Sequence, residues 1–388
     1  MASVWPTTVL YYQSKGLRGS QIGILSAVST LFSLGAAPLW TGLADSRNRH
    51  RLVFVVTGLS TACSYLLMSR AGGFWPLLCF ATAAAVFSAA LGPLMDNATV
   101  AMLGERADRY GRIRLWGSAG WGVAAPIAGA FIQAHGLPRA FWIGALGLLA
   151  CVAASLRVPF TGRGRQEPYW RGARRLLADR SWWFFLCVLF IAGLGVAAYN
   201  TYLYAYLDSL GASRGFMGIS QTVATVSEIP FFFFAGLLLQ RVHARGLLLI
   251  SLVAIGTRCL LYWIVKVPWA VLPVQLMNGV CFSLFWSAGV AFAVQRAPAG
   301  LGATAQGMFG AIIFGFSSAA GGLLGGILLG AVGASAMYGV FGLITFAGLV
   351  PFLLGWRLLG GPGLYSDAPR ATSGLRARRT GVFHRPEK

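Results

Sequence analysis

The sequence predicts an all-α polytopic membrane protein whose helices form two six-helix halves. Three observations carry that prediction: charge too sparse for a water-facing surface, apolar stretches recurring at about one membrane thickness, and arginines gathered on alternate connections. Of the 388 residues 57% are hydrophobic and 11% charged, and the mean hydropathy is +0.68, whereas soluble domains carry about 25% charge. Twelve units of roughly 32 residues each hold a helix of about 20 residues, enough to cross a hydrocarbon core of about 30 Å, and a short loop.

The elements follow in chain order. Residues 1–12 are apolar but reach only about 18 Å at 1.5 Å per residue. They read as the outer half of a truncated first helix whose full form begins upstream. A basic n-region and a small-residue cleavage site are both missing, so a removed signal peptide is the poorer reading. Eleven whole spans follow at 20–43, 52–71, 74–103, 115–134, 140–158, 182–207, 215–239, 247–267, 270–294, 306–331 and 334–359. The sizeable polar connection runs from Pro159 to Arg180. It divides an N-terminal half, 1–158, from a C-terminal half, 182–359, with 159–181 as a cytoplasmic linker. Residues 360–388 mix Gly, Pro and Ser with Arg376, Arg378 and Arg379, the composition of a disordered basic tail able to touch anionic lipid.

The 31 Lys+Arg against 10 Asp+Glu, net +21, would in a soluble protein suggest nucleic acid. Sorted by side of the membrane, 24 of them fall on one set of connections and the termini, six on the opposite set, and Arg258 lies inside a span. The positive-inside rule therefore places the first set and both termini in the cytoplasm of a cell whose inner membrane the chain crosses. The charge reports topology, and nucleic acid is not an expected partner.

Enzyme chemistry finds no foothold. The six cysteines stand singly in apolar spans and the four histidines lie in loops or the tail. No CxxC pair, zinc spacing, P-loop or nucleophile elbow occurs, so neither metal nor cofactor is expected.

Sliding the second half over the first at an offset of 195 brings Gly16 onto Gly211, Gly23 onto Gly218, Ile24 onto Ile219, Leu43 onto Leu238, Phe87 onto Phe282 and Gly120 onto Gly315. Two parallel six-helix halves about an axis along the membrane normal are the arrangement of many secondary transporters, with a substrate site between them near mid-membrane.

The stretch Pro38-Leu-Trp-Thr-Gly-Leu-Ala-Asp45-Ser-Arg-Asn-Arg-His-Arg51 resembles the signature of the major facilitator superfamily between its second and third helices. Thr41 stands at the small first position and Asn48 where a glycine is expected near the turn. Two more stretches, Glu105 to Ser118 and Ser227 to Gly236, look like the branch that holds phenylpropionate-permease-like carriers and is related to nucleoside and lactose proton symporters. The resemblance spans about Tyr11 to Leu359 and implies a twelve-helix major-facilitator-type fold. It implies further that the basic loops meet, so that Asp45, Glu105 and Asp108 pair with Arg49, Arg51 and Arg112 as a cytoplasmic gate that breaks when the halves rock. Solvated topogenic charges are the alternative reading of the same residues.

Ionisable residues inside spans are costly and usually face a partner or a wet cavity. Asp96, Glu228 and Arg258 qualify. Opposite chain direction sets Glu228 and Arg258 at similar depth, as an ion pair, and Gln221, Thr225 and Glu228 at i, i+4, i+7 make one polar face. Proton coupling through Glu228, with Arg258 and Asp96, stands against a permanent pair pinning two helices and a packing carboxylate held by Asn97 and Thr99. For the substrate cavity the candidates are Tyr199, Asn200, Tyr202, Gln221, Gln275 and Asn278, aromatic and amide groups that stack on a ring and bond its polar substituents, with interface-belt or packing aromatics the alternative reading of the tyrosines. The run Gly321 to Gly330 has the small-xxx-small spacing that lets helices approach.

The resulting expectation is a monomeric secondary carrier in lipid, moving an aromatic-acid, nucleoside or sugar-like solute by alternating access with proton symport. Proton-driven efflux is the alternative within transport, and a non-transporting sensor or scaffold the alternative outside it.

Overall fold

A computed structural model describes residues 2–103, 110–158, 174–298 and 301–358. After a 3₁₀ turn at Trp5–Thr7 come α1 (Thr8–Ser14), α2 (Gly19–Ser46), α3 (His50–Arg70), α4 (Phe74–Ser88), α5 (Leu91–Leu103), α6 (Tyr110–His135) and α7 (Arg139–Ser155). The second half holds α8 (Arg180–Ser209), α9 (Arg214–Ile264), α10 (Val271–Leu276), α11 (Phe285–Arg296), α12 (Gly302–Gly310) and α13 (Ser318–Leu358). Among the described residues seven helical stretches are long and apolar enough to cross a membrane.

Two of them cannot be single crossings. At 1.5 Å per residue the 51 residues of α9 would run about 76 Å, more than twice the hydrocarbon core. It reverses at His243 (φ 61°, ψ 157°), and α13 reverses at Gly333 (φ 81°). Hydrogen bonds fix the directions: Ser220 meets Gln275 and Glu228 meets Ser283, so 214–242 runs parallel to 271–296, while Arg258 meets Gln275 and Asn278 from the returning limb.

The expected span 74–103 is broken at residues 89–90, ahead of Gly92-Pro93. The expected span 270–294 is also interrupted. A π-helical segment, Gly279–Leu284, follows α10, and a second, Ala311–Ser317, precedes α13. Such segments are rare and cluster at functional sites.

The backbone repeats at the offset read from the sequence. Gly16 and Gly211 both have positive φ, 77° and 79°. Among the described residues the two non-glycine positions with positive φ are Asn48 (49°) and His243 (61°), which are also 195 apart. The turn after the second crossing thus recurs after the eighth.

The halves meet along two related seams, α2 against α13 and α6 against the first limb of α9. Along the first, Gly19 and Gly23 lie against Gly326, Gly330 and Leu323, and Gly322 lies against Ser26. Along the second, Gly129 faces Arg214, Gly218 faces Ala125, Thr222 donates to the Gly122 carbonyl at 2.7 Å, and the Gly215 N–H donates to Gln133 at 3.1 Å. A Cβ on Gly23 would sit 2.7 Å from the Leu323 carbonyl oxygen, and one on Gly218 2.6 Å from that of Ala125. Gly23 and Gly218 are the pair that the offset superposes.

These contacts occupy one end of the bundle, the end carrying Gly16 and Gly211, and extend inward as far as Leu34 against Gly315 and Gly122 near Thr225. Toward the Asp45 end the seams part. A Cβ on Gly35, Gly42, Gly117 or Gly120 would meet nothing within 4 Å, and Leu39, Trp116 and Phe233 are more than two-thirds exposed.

Candidate functional site

Arg258 is the largest fully buried side chain of the described residues, 1% exposed. A guanidinium has donors only, and three acceptors are turned toward it. Its Nε donates to Tyr262 Oη at 3.0 Å, one terminal nitrogen to Asn278 Oδ1 at 2.5 Å and the other to Gln275 Oε1 at 2.5 Å. Gln275 passes the chain on, its Nε2 donating to Ser220 Oγ at 2.6 Å. The Tyr199 ring lies 4.1 Å from the guanidinium carbon, a cation–π contact worth up to about 2 kcal/mol when desolvated. Tyr199 Oη is buried with no hydrogen-bond partner among the described residues.

Glu228 joins this network at one remove. The expected direct ion pair is absent among the described contacts; Asn278 stands between, donating from Nδ2 to Glu228 Oε1 at 2.5 Å. The reason is local. Ser227 Oγ accepts from the Gly279 N–H at 3.1 Å and Ser283 donates to the Glu228 carbonyl at 3.3 Å. Those bonds lock the π segment against the first limb of α9 and drive Asn278 into the gap.

Glu228 lines a cavity of about 240 Å³ between the halves, below the roughly 300 Å³ at which drug-sized pockets begin. The polar wall comes from the second half: Asn200 and Tyr199 of α8, Gln221 and Glu228 of α9, and Gln275 and Asn278 beyond. Ala224, not Thr225, completes the face between Gln221 and Glu228; Thr225 is buried and bonds back to the Gln221 carbonyl at 3.0 Å.

The first half contributes Trp5 and Trp121, packed edge to face at 6.3 Å. Phe282 and Phe314, one on each π segment, close the wall, with Trp286 between them, stacked on Phe282 at 6.3 Å and tilted against Phe314 at 5.3 Å. Sequence reasoning missed Trp5, Trp121 and Phe314. The available signal was the Trp-Pro pair that opens the first helix and the second of two Trp in the glycine-rich fifth span.

The remaining candidates lie elsewhere. Tyr202 does not line the cavity; its hydroxyl donates to the Gly322 carbonyl and its ring packs on Gly325, tying α8 to α13. Asp96 is half-buried in α5, away from the cavity wall.

At the Asp45 end, the Asp45 carboxylate accepts from His50 Nε2 at 2.7 Å, because the positive-φ turn at Asn48 folds the start of α3 back onto the end of α2. Arg51 donates to the Val158 carbonyl at 3.0 Å and Arg49 sits at the start of that helix. Arg112 falls in the first turn of α6, while Glu105 and Asp108 lie outside the described residues.

A polar network buried beside an aromatic cavity at the seam of two related halves is the arrangement of a carrier, and the sequence agrees over its length: residues 1–340 match the MFS_1-like family. The chain belongs to that family of the major facilitator superfamily. It is 27% identical over 350 residues to the uncharacterized transporter YwbF of Bacillus subtilis, covering 89% of this chain and 87% of that one. With the maltose permease of Geobacillus stearothermophilus it shares 27% over 355 residues, 91% and 90% of the two chains. The crystal structure of the nucleoside transporter NupG superposes with a TM-score of 0.82 at 17% identity, covering 92% and 95%. A POT family transporter does so with 0.72 at 11%, covering 93% of each chain. This MFS_1-like protein is therefore a multi-pass membrane transporter of the twelve-helix fold, not an enzyme, and its business is secondary transport of a small solute.

Proposed function

We propose that this protein carries a small uncharged ring solute, sugar-like or nucleoside-like, across the cell's inner membrane in symport with protons. The observation that supports it most is Glu228, an acidic side chain opening on the inter-half cavity and tied through Asn278 to a buried arginine. The maltose permease and NupG likenesses point to the same solute kinds.

The cavity chemistry favours a neutral ring over an aromatic acid. Trp5, Trp121, Phe282 and Phe314 offer stacking faces, and Asn200, Gln221 and the Glu228 carboxylate offer hydrogen-bond partners to hydroxyls. Arg258 is the cation in this wall, but it is 1% exposed and turned to Tyr262, Asn278 and Gln275, so a substrate carboxylate would meet Glu228 without an accessible positive partner.

The positive-inside bias assigns the Asp45 end to the cytoplasm, together with both termini. On that assignment the conformation is open to the cytoplasm and sealed outside by the glycine seams. Rocking the halves, 1–158 and 182–359, opens those seams and closes the Asp45 end, where Asp45 exchanges His50 for an arginine of the basic loops. Proton and solute load from outside and leave inside.

In proteoliposomes enclosing a pH-sensitive dye, entry of maltose or uridine should carry protons in the wild type. Glu228→Gln should abolish uptake driven by a pH gradient yet leave solute exchange intact. Full gradient-driven uptake by Glu228→Gln would remove the proton role, and transport of 3-phenylpropionate but neither neutral solute would overturn the substrate class.

A further inference from the structure

We propose that Asn278 is a positioning residue, a non-titrating spacer that holds Glu228 away from Arg258 so that Glu228 exchanges its proton with the cavity alone. The inference rests on Glu228 being the proton carrier proposed above and concerns how that carboxyl is kept exchangeable.

The geometry leaves Asn278 one orientation. Arg258 offers only donors, so the amide must turn Oδ1 to it, at 2.5 Å. Nδ2 then faces Glu228 Oε1 at 2.5 Å and reaches the Ala224 carbonyl at 3.4 Å. Inverting the amide would set donor against donor at Arg258 and acceptor against acceptor at Glu228. With 7% exposure, Asn278 has little contact with solvent to compensate such a flip.

Two consequences follow from the chemistry of an amide. It does not titrate, so it passes polarisation between Arg258 and Glu228 but no proton, and the proton of Glu228 has to enter and leave on the cavity side. It also roughly doubles the charge separation of a direct pair, and the attraction falls in proportion to distance. A carboxylate paired directly with a buried arginine stays ionised through the cycle; one held off by an amide is free to exchange.

The surrounding ionisable groups do not supply another route. Those packed about the network are Arg258, Tyr262 and Cys259 from the returning limb of α9, Tyr199 and Tyr206 from α8, Cys281 from the π segment and Tyr338 from α13. Phenols and thiols are neutral at physiological pH. Asn278 also opens the π segment Gly279–Leu284 that carries Phe282 into the cavity wall, so the bond that senses the charge on Glu228 sits at the root of the wall that touches solute.

The test needs no substrate. In the purified full-length protein in lipid, pH-difference infrared spectra should show a protonated carboxyl C=O stretch that titrates and is missing from Glu228→Gln. In Asn278→Ser and in Asn278→Asp the same band should change frequency, since it loses the Nδ2 donor, and its midpoint should move by about one pH unit or more. Two variants are used because either one alone could fail to fold. An unmoved band in folded protein would overturn the positioning role. Absence from the wild type of any titrating band that depends on Glu228 would instead overturn the proton-carrier reading itself.

Discussion

Replacing Gly23 by Ala should open the protein at the end opposite Asp45. The added Cβ would lie 2.7 Å from the Leu323 carbonyl oxygen, about 0.7 Å inside ordinary contact, and 3.2 Å from the Leu323 Cα. Both neighbours are backbone, so no rotamer change relieves the overlap; the helices must separate. Overpacking of this kind costs about 1–3 kcal/mol, and it is felt only while the seam is closed. The gain in helix propensity from Gly to Ala is present in both conformations and cancels. At about 1.4 kcal/mol per decade, the open population rises roughly 5- to 150-fold.

The readout belongs on the other seam. Thr222 donates to the Gly122 carbonyl across α6 and α9; a Thr222→Cys reporter in lipid nanodiscs, labelled with a maleimide and followed by mass spectrometry at that peptide, should react faster by the same factor when Gly23→Ala is added. Gly35→Ala, where an added Cβ meets nothing within 4 Å, should leave the rate within about twofold. An unchanged rate at Thr222→Cys with Gly23→Ala would refute the idea that the two seams open as one motion.

Arg258→Met should lower the melting temperature in detergent by about 4–6 °C, because breaking a buried charged network costs about 3–5 kcal/mol. Adding Glu228→Gln to it should recover part of the loss; strict additivity would show that the two groups are not coupled through Asn278. His243→Gly should raise thermal stability, since φ 61° with ψ 157° falls where almost only glycine is comfortable, a strain of about 1–3 kcal/mol. Asn48→Gly should change it little, because asparagine tolerates a left-handed turn. Equal gains at both positions, read by the same melting assay, would contradict that distinction.

Much of the architecture is legible in the sequence. Long apolar runs and the sided distribution of arginine follow from the solvent, and a bilayer leaves few other ways to satisfy a backbone. The offset of 195 was visible as scattered glycine matches and reappears in the backbone at Gly16 and Gly211 and at Asn48 and His243. Glu228 and Arg258 stood out because charge inside a span is rare, and the structure places both in one network.

Helical period was a weaker guide to partners. It grouped Tyr199 with Tyr202, which stand about 60° apart around the helix, yet the Tyr202 hydroxyl bonds to Gly322 while the Tyr199 ring stacks on Arg258. Period also placed Thr225 where Ala224 lines the cavity, since Thr225 bends back to its own helix.

What the sequence determined by itself was membrane residence, helix count and the sites where charge is tolerated only for a purpose, because those depend on composition and local spacing against a fixed solvent. What only the tertiary structure decided was contact: Asn278 between Glu228 and Arg258, Trp5 and Trp121 facing the polar wall from the other half, and the end at which the glycine seams close. Contacts between helices far apart in the chain are set by side-chain packing across the whole bundle. No local pattern encodes which of two equally amphipathic faces will find a partner.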